Sequence, residues 1–170
     1  MCGSVTIRRL EHPSEQEINR VDVVLQESFK NEPYVKLLMG GDMSLVPIRF
    51  NANVRAAAIR GEIHVATLGP QPSDIIGAGL WYGPGKAQFF TDEERAADNF
   101  FLIISDKLKA WWDNEYLPAT KKLAEDSVGE GFYLNNWSLH MFGVVPEHHR
   151  KGIGKTMLSF AENVVGAHLY

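Results

Sequence analysis

Apolar and polar residues alternate through VTIRRL at 5–10, the period of a strand with one buried face. The period then lengthens. Ser14 stands where a helix N-cap belongs, with Glu17 three residues on as in a capping box. Ile18, Val21, Val24, Leu25, Ser28 and Phe29 recur along one side of the helix this predicts, which runs to about Phe29. Pro33 breaks it, Gly40-Gly41 closes a short second piece, and 44–60 is again helical in pattern. Two β-rich runs, 62–69 and 74–83, flank a Gly/Pro-rich turn and read as a hairpin. Thr91 can cap a helix beginning DEER, apolar spacing continues to Trp112, and a further helical piece follows Pro118. Residues 84–130 are therefore expected to be a helical insertion. FYLNNWSLHMFGVV at 132–145 reads as one long strand with an irregularity at Asn135-Asn136. The last helix spans about Gly154 to Gly166, with Met157, Leu158, Ala161 and Val165 facing inward. The order βααββ(αα)βα predicts one α/β (α+β) domain over 1–170, with helices flanking a mixed sheet and the insertion between strands 3 and 4.

Composition narrows the function classes. The chain has 170 residues, 45% hydrophobic and 22% charged, which suits one domain with a real core. A net charge of −4 gives no general pull toward nucleic acid or anionic membrane. The single cysteine, Cys2, allows no intramolecular disulfide. The N-terminus lacks a signal-peptide pattern, and no apolar run approaches the ~20 residues of a membrane span. A cytoplasmic protein is the expectation, with the nucleus open.

The chemistry concentrates in GVVPEHHRKGIGKTML at 143–158. Gly152 and Gly154 are two apart, and helix begins at about the second. Successive N–H groups from His149 to Lys155 can point into one concavity, a nest for anions, and the helix dipole adds to it. Arg150, Lys151 and Lys155 supply positive charge in an otherwise acidic chain. A diphosphate suits that description. The P-loop pattern fails because His149 stands where its first glycine belongs. The dinucleotide pattern G-x-G-x-x-G fails because Met157 occupies the third glycine position.

Val144-Val145-Pro146-Glu147-His148-His149-Arg150-Lys151-Gly152-Ile153-Gly154 resembles the V-x-P-x-x-(R/Q)-x-x-G-x-(G/A) motif of the GNAT superfamily of acyl-CoA-dependent N-acetyltransferases. Only His149 departs, where Arg or Gln is usual. The rest of the chain is similar more loosely, with a likeness to fungal members in the LWYGPG…WW…EYLP region. The resemblance implies acetyl-CoA as cosubstrate and a small-molecule primary amine as acceptor. It implies that the pantetheine arm pairs with backbone at Phe142, Gly143 and Val144, and that the pyrophosphate sits on the nest of His149, Arg150, Lys151, Gly152, Ile153, Gly154 and Lys155. A base of near-neutral pKa suits removal of the amine proton, and His140 is the candidate. By alternation, Ser138, His140, Phe142 and Val144 share one face. Arylalkylamine N-acetyltransferases carry H-x-H on this strand; His140 matches the second histidine and Ser138 replaces the first. Complete members continue past the last helix with a further strand, a helix and closing strands, and often supply a tyrosine acid there. AHLY after Gly166 is the only chain left, so the domain is expected to lack those parts. The strand at Val144 then exposes an edge that invites a homodimer.

Plainer readings stand beside these. The glycine turn can be ordinary βα packing, and His140 a satisfied structural histidine. His148 and His149 lack further ligands at metal spacing, so no metal is expected. HHRK is too short a basic run for nucleic acid. Phe100-Phe101 and Trp111-Trp112 read as the insertion's core, though aromatic insertions and Glu32-Pro33-Tyr34 can border an acceptor site. DEER at 92–95 reads as a favourable charge run in a first helical turn. The rival function is a CoA-binding or interaction module without turnover, or a fragment of a longer enzyme.

Overall fold

The computed structural model describes residues 4–167 of the chain. The alternating run at the start forms β1 (Thr6–Leu10), which pairs antiparallel with β2 (Glu62–Thr67). The expected hairpin joins β2 to β3 (Ile75–Tyr82), and β3 pairs with β4 (Ser138–Val144), giving a four-stranded antiparallel sheet in the order β1-β2-β3-β4. β2 is buried at every position and β3 at all but Trp81, because helices cover both faces of the central strands.

Helix α1 (Glu15–Ser28) starts on the Ser14–Glu17 capping box, with the Glu17 N–H on the Ser14 hydroxyl at 3.3 Å and the Ser14 N–H on the Glu17 carboxylate at 3.0 Å. The short α2 (Pro33–Leu38) follows, then α3 (Val46–Arg60). Helices α1 and α3 pack together on one face of the sheet, burying Val21, Val24, Leu25, Phe50, Val54 and Ala57 against Val65, Ala78 and Leu80. Helix α9 (Ile153–Ala167) covers the other face through Met157 and Ala161. Gly143 lets α1 come this near β4: a Cβ there would lie 2.5 Å from the Ser28 Cβ.

Between β3 and β4 the chain is helical, in shorter pieces than the periodicity predicts. Helix α4 (Asp92–Ala96) is capped by Thr91, α5 (Phe100–Ile103) follows Asn99, and α6 (Asp106–Trp111) is capped by Ser105. A π-helical segment at Trp112–Tyr116 leads into α7 (Leu117–Val128). Phe100 and Trp112 are buried, and the Arg49 guanidinium of α3 is ringed by Phe89, Phe100, Phe101 and Trp112 at 4.9–5.6 Å. Arg49 also pairs with Asp98 at 2.8 Å, so one side chain pins the insertion to the body.

Three expectations are corrected. The strand predicted from 132 begins only at Ser138, because Gly129 and Gly131 turn the chain through positive φ and Phe132–Asn135 winds into a helical turn, α8. The alternation assumed along β4 is broken: Leu80 faces Met141 but Trp81 faces Leu139, so His140 is the extra residue of a bulge. Ser138, opposite Tyr82, therefore lies on the sheet face opposite to Phe142 and Val144, which face Gly79 and Gly77 under α9. On α9, Leu158 is exposed rather than inward. Ala167 is still helical, whereas Cys2 and Tyr170 lie outside the described residues.

Candidate functional site

The turn from β4 to α9 forms the expected nest only in part: the His149 N–H is spent on the Pro146 carbonyl at 3.0 Å, so the open run of N–H groups begins at Arg150. Pro146–His148 forms one 3-10 turn, Arg150 takes φ +61° and Gly152 φ +79°. Left-handed residues alternating with right-handed ones turn successive N–H groups to one side. Among the described residues, the N–H groups from Arg150 to Lys155 have no acceptor, and the last of them open a 15-residue helix. Arg150 and Lys155 are exposed beside them, while the Lys151 ammonium donates to the Glu147 carbonyl at 2.9 Å. The donor set fits a diphosphate: many fixed N–H groups, two mobile cations and no acidic side chain within 150–155.

The same turn borders the outer edge of β4. The Val145 N–H donates to the Ile76 carbonyl, so Gly143 and Val145 face β3 while Phe142 and Val144 direct their backbone groups outward. Among the described residues no strand adjoins that edge. His149, the position that departs from the motif, closes part of it: its Nε2 donates to the Val144 carbonyl at 2.6 Å.

His140 lies at the other end of this edge. The bulge swings its ring against Tyr82, edge to face with centroids 5.9 Å apart. The residue is exposed at its surface, yet protein surrounds the ring at longer range. That enclosure and the Arg49 charge pull its pKa down to about 4. Where the insertion meets α2, the Tyr34 and Tyr116 hydroxyls are hydrogen-bonded to each other, and burial pushes the Tyr116 phenol above its usual range. Trp111 stacks on Tyr116 at 5.4 Å.

Phe142, Gly143, Val144 and the residues 149–155 are thus contiguous at one end of the sheet, and His140 stands two residues from them. Arg49, Tyr82, Glu94 and Tyr116 were not singled out from the sequence. Glu94 is the third acidic residue of a run that looks solvated, yet it is fully buried. A capping-box glutamate just ahead of an aromatic pair was the signal available.

No protein-family model matches the chain, and none of the curated proteins matches it by sequence. The arrangement of sheet and helices is shared with solved structures, one of them of an acetyltransferase. Two of them are histone acetyltransferase HPA2 and related acetyltransferase from Corynebacterium glutamicum, with a TM-score of 0.55 at 15% identity over 95% of this chain and 70% of that one, and PH1933 from Pyrococcus horikoshii, with 0.50 at 14% identity over 96% and 73%. The likeness is one of fold. Among the described residues, no helix is long and apolar enough to cross a membrane, and no group of three or more His, Cys, Asp or Glu side chains could hold a metal ion.

Proposed function

We propose that this chain is an N-acetyltransferase that moves an acetyl group from acetyl-CoA to a primary amine of a small-molecule acceptor. Acetyl-CoA supplies the activated thioester. The N–H groups from Arg150 to Lys155 hold the pyrophosphate, with the Arg150, Lys151 and Lys155 side chains near it and the His149 backbone at the rim. The outward backbone groups of Phe142 and Val144, with Gly143 between them, take the pantetheine amides as an added strand. An outward N–H near Val144 polarises the acyl oxygen. His140, neutral at physiological pH, accepts the amine proton directly or through a water.

The observation that carries this reading is the run of acceptor-free N–H groups leading straight from an open strand edge in an acetyltransferase fold. Calorimetry with CoA, beside thiol release from acetyl-CoA over a panel of amines, tests it. Binding with release is expected; no CoA binding defeats it. The lowered basicity of His140 favours a second reading, a CoA-binding module without turnover, which binding without release would support. The open β4 edge could also pair with a second copy, and light scattering with and without CoA reads that competition.

A further inference from the structure

Where the insertion meets α1 and α3, an open hollow of about 380 Å³ is lined by Asp22 of α1, by Pro47, Ile48 and Asn51 of α3, and by Ala97 and Asn99 of the insertion. That is the size of a small-ligand site. None of these residues belongs to the nest or to the β4 edge.

Asp22 gives the hollow its chemistry. It is 8% exposed. Its Oδ1 accepts the Gln26 amide at 2.9 Å and its Oδ2 the Asn51 amide at 3.2 Å. A carboxylate oxygen accepts two donors, so each has room for one more. A buried carboxylate is ordinarily paired with a cation, yet Asp22 forms no ion pair among the described residues. The charge of Arg55 reaches it, but that guanidinium is spent on both Glu15 oxygens, at 3.1 and 2.8 Å, and on the Asn51 carbonyl at 2.9 Å. Asp98, between the two insertion residues of the lining, is matched by Arg49. One negative charge is therefore left over, and burial raises the Asp22 carboxyl above its ordinary value.

The rest of the lining suits a flat cation on an apolar stem. Pro47, Ile48 and Ala97 are apolar, and Ile48 is an exposed isoleucine beside a buried charge. The Asn99 side chain heads α5 without making a cap hydrogen bond. A guanidinium or amidinium presents paired N–H donors to a carboxylate and lies flat on apolar walls, whereas an ammonium is a compact, strongly hydrated point charge.

We infer that this hollow is a second ligand site, which takes a guanidinium or amidinium compound on Asp22. Because its walls come from both sides of the junction, an occupant ties the insertion to α1 and α3. The ligand is an effector and not the acceptor, and the site does not rest on the transferase reading.

Butylguanidinium and its uncharged isostere butylurea are the probes, titrated calorimetrically at pH 7 into the full chain. The guanidinium should bind about tenfold more tightly than the urea, and the melting temperature should climb with its concentration. Butylammonium, a point charge without the fork, should bind more weakly; binding as tight as the guanidinium's overturns the ligand class. Asp22→Asn keeps the side-chain volume and should abolish the guanidinium's advantage. Ala97→Leu fills the hollow from the insertion side, leaves Asp22 and its amide donors in place, and should block the guanidinium; it carries the test if Asp22→Asn does not fold. The tripeptide Gly-Arg-Gly separates the sources of such a group: tighter binding than butylguanidinium points to a protein's arginine side chain, weaker binding to a free small molecule. Equal binding of guanidinium and urea, binding of neither, or a preference that survives both substitutions overturns the inference. CoA affinity should be unchanged in both variants, so failure of CoA to bind counts against the transferase reading alone.

Discussion

The β4–α9 turn and the side-chain packing beneath the insertion are built in opposite ways. The turn is made of backbone. Its N–H groups come from consecutive residues, and the left-handed conformations at Arg150 and Gly152 are local. The packing around Arg49 and His140 is made of side chains from α3, β3, the insertion and the bulge of β4, and exists only once those segments have come together. Damage to the turn should therefore cost ligand and spare the fold, and damage around Arg49 should cost the fold first.

The largest effect is expected from Arg49→Leu. It strands Asp98, 8% exposed, without its cation, and breaking a buried pair this way costs about 3–5 kcal/mol. Urea unfolding should show it, with the insertion's tryptophans as probe. A loss under ~1 kcal/mol would mean the pair acts as a surface pair and the contrast is wrong.

Gly154→Asp works the other way. A Cβ there meets only the Phe142 ring at 3.4 Å, and a carboxylate in a first helical turn is favourable to the helix. It also sets negative charge where a diphosphate would lie. CoA affinity should fall about 100-fold, or ~2.7 kcal/mol, with the melting temperature held or raised. Loss of stability in step with affinity would erase the distinction between the two regions.

His140→Gln sits between them. Turnover should fall about tenfold, or ~1.4 kcal/mol, with partial recovery at high pH, where the amine arrives deprotonated. In the parent protein the rate should lose no base form near pH 6.5, because the ring stays neutral down to about 4. The stability consequence has a definite sign. The unfolded chain takes up this proton near the ordinary histidine value and the folded chain only near 4. The contribution is therefore whole above about pH 6.5 and lost as pH falls toward 4. A parent rate profile with a limb near 6.5 would remove the enclosure argument.

The smallest effect belongs to His149→Ala. The ring occupies one outward carbonyl of β4, but it is exposed and the N–H groups beyond it are untouched. CoA affinity should change by about threefold, or ~0.6 kcal/mol, with stability unaltered. A hundredfold change would make the side chain a principal ligand and end the view of this turn as a backbone site.

The same contrast decides what could be read from residues alone. Ser14 with Glu17 and Thr91 with Glu94 specify helix starts through contacts three residues apart, and both boxes are present. The glycine spacing around 152 marked the nest for the same reason. The bulge at His140 could not be foreseen, since it depends on how β4 registers against β3 some sixty positions earlier in the chain. The helical turn at Phe132–Asn135 was hidden because FYLN is apolar and aromatic enough for a strand, and the two flanking glycines determine its path. Glu94 does lie in a helix's first turn, as the charge run suggested; its burial, where α4 packs on α3, depends on contacts distant in sequence.

The route from β3 to β4 also has a kinetic consequence. β2 and β3 are joined by a short turn, whereas β4 must return across everything from Gly83 to Trp137. Closing the longer loop costs about 2 kcal/mol more in chain entropy, unless the insertion has already folded and drawn its ends together. Strand β4 should therefore join the sheet last. Amides of Phe142 and Val144 should gain protection from hydrogen exchange later than those of Val65 and Ala78, and a slowed docking of the insertion should delay them further. The strand edge proposed to carry the acyl donor would then be the last part of the protein to come into existence.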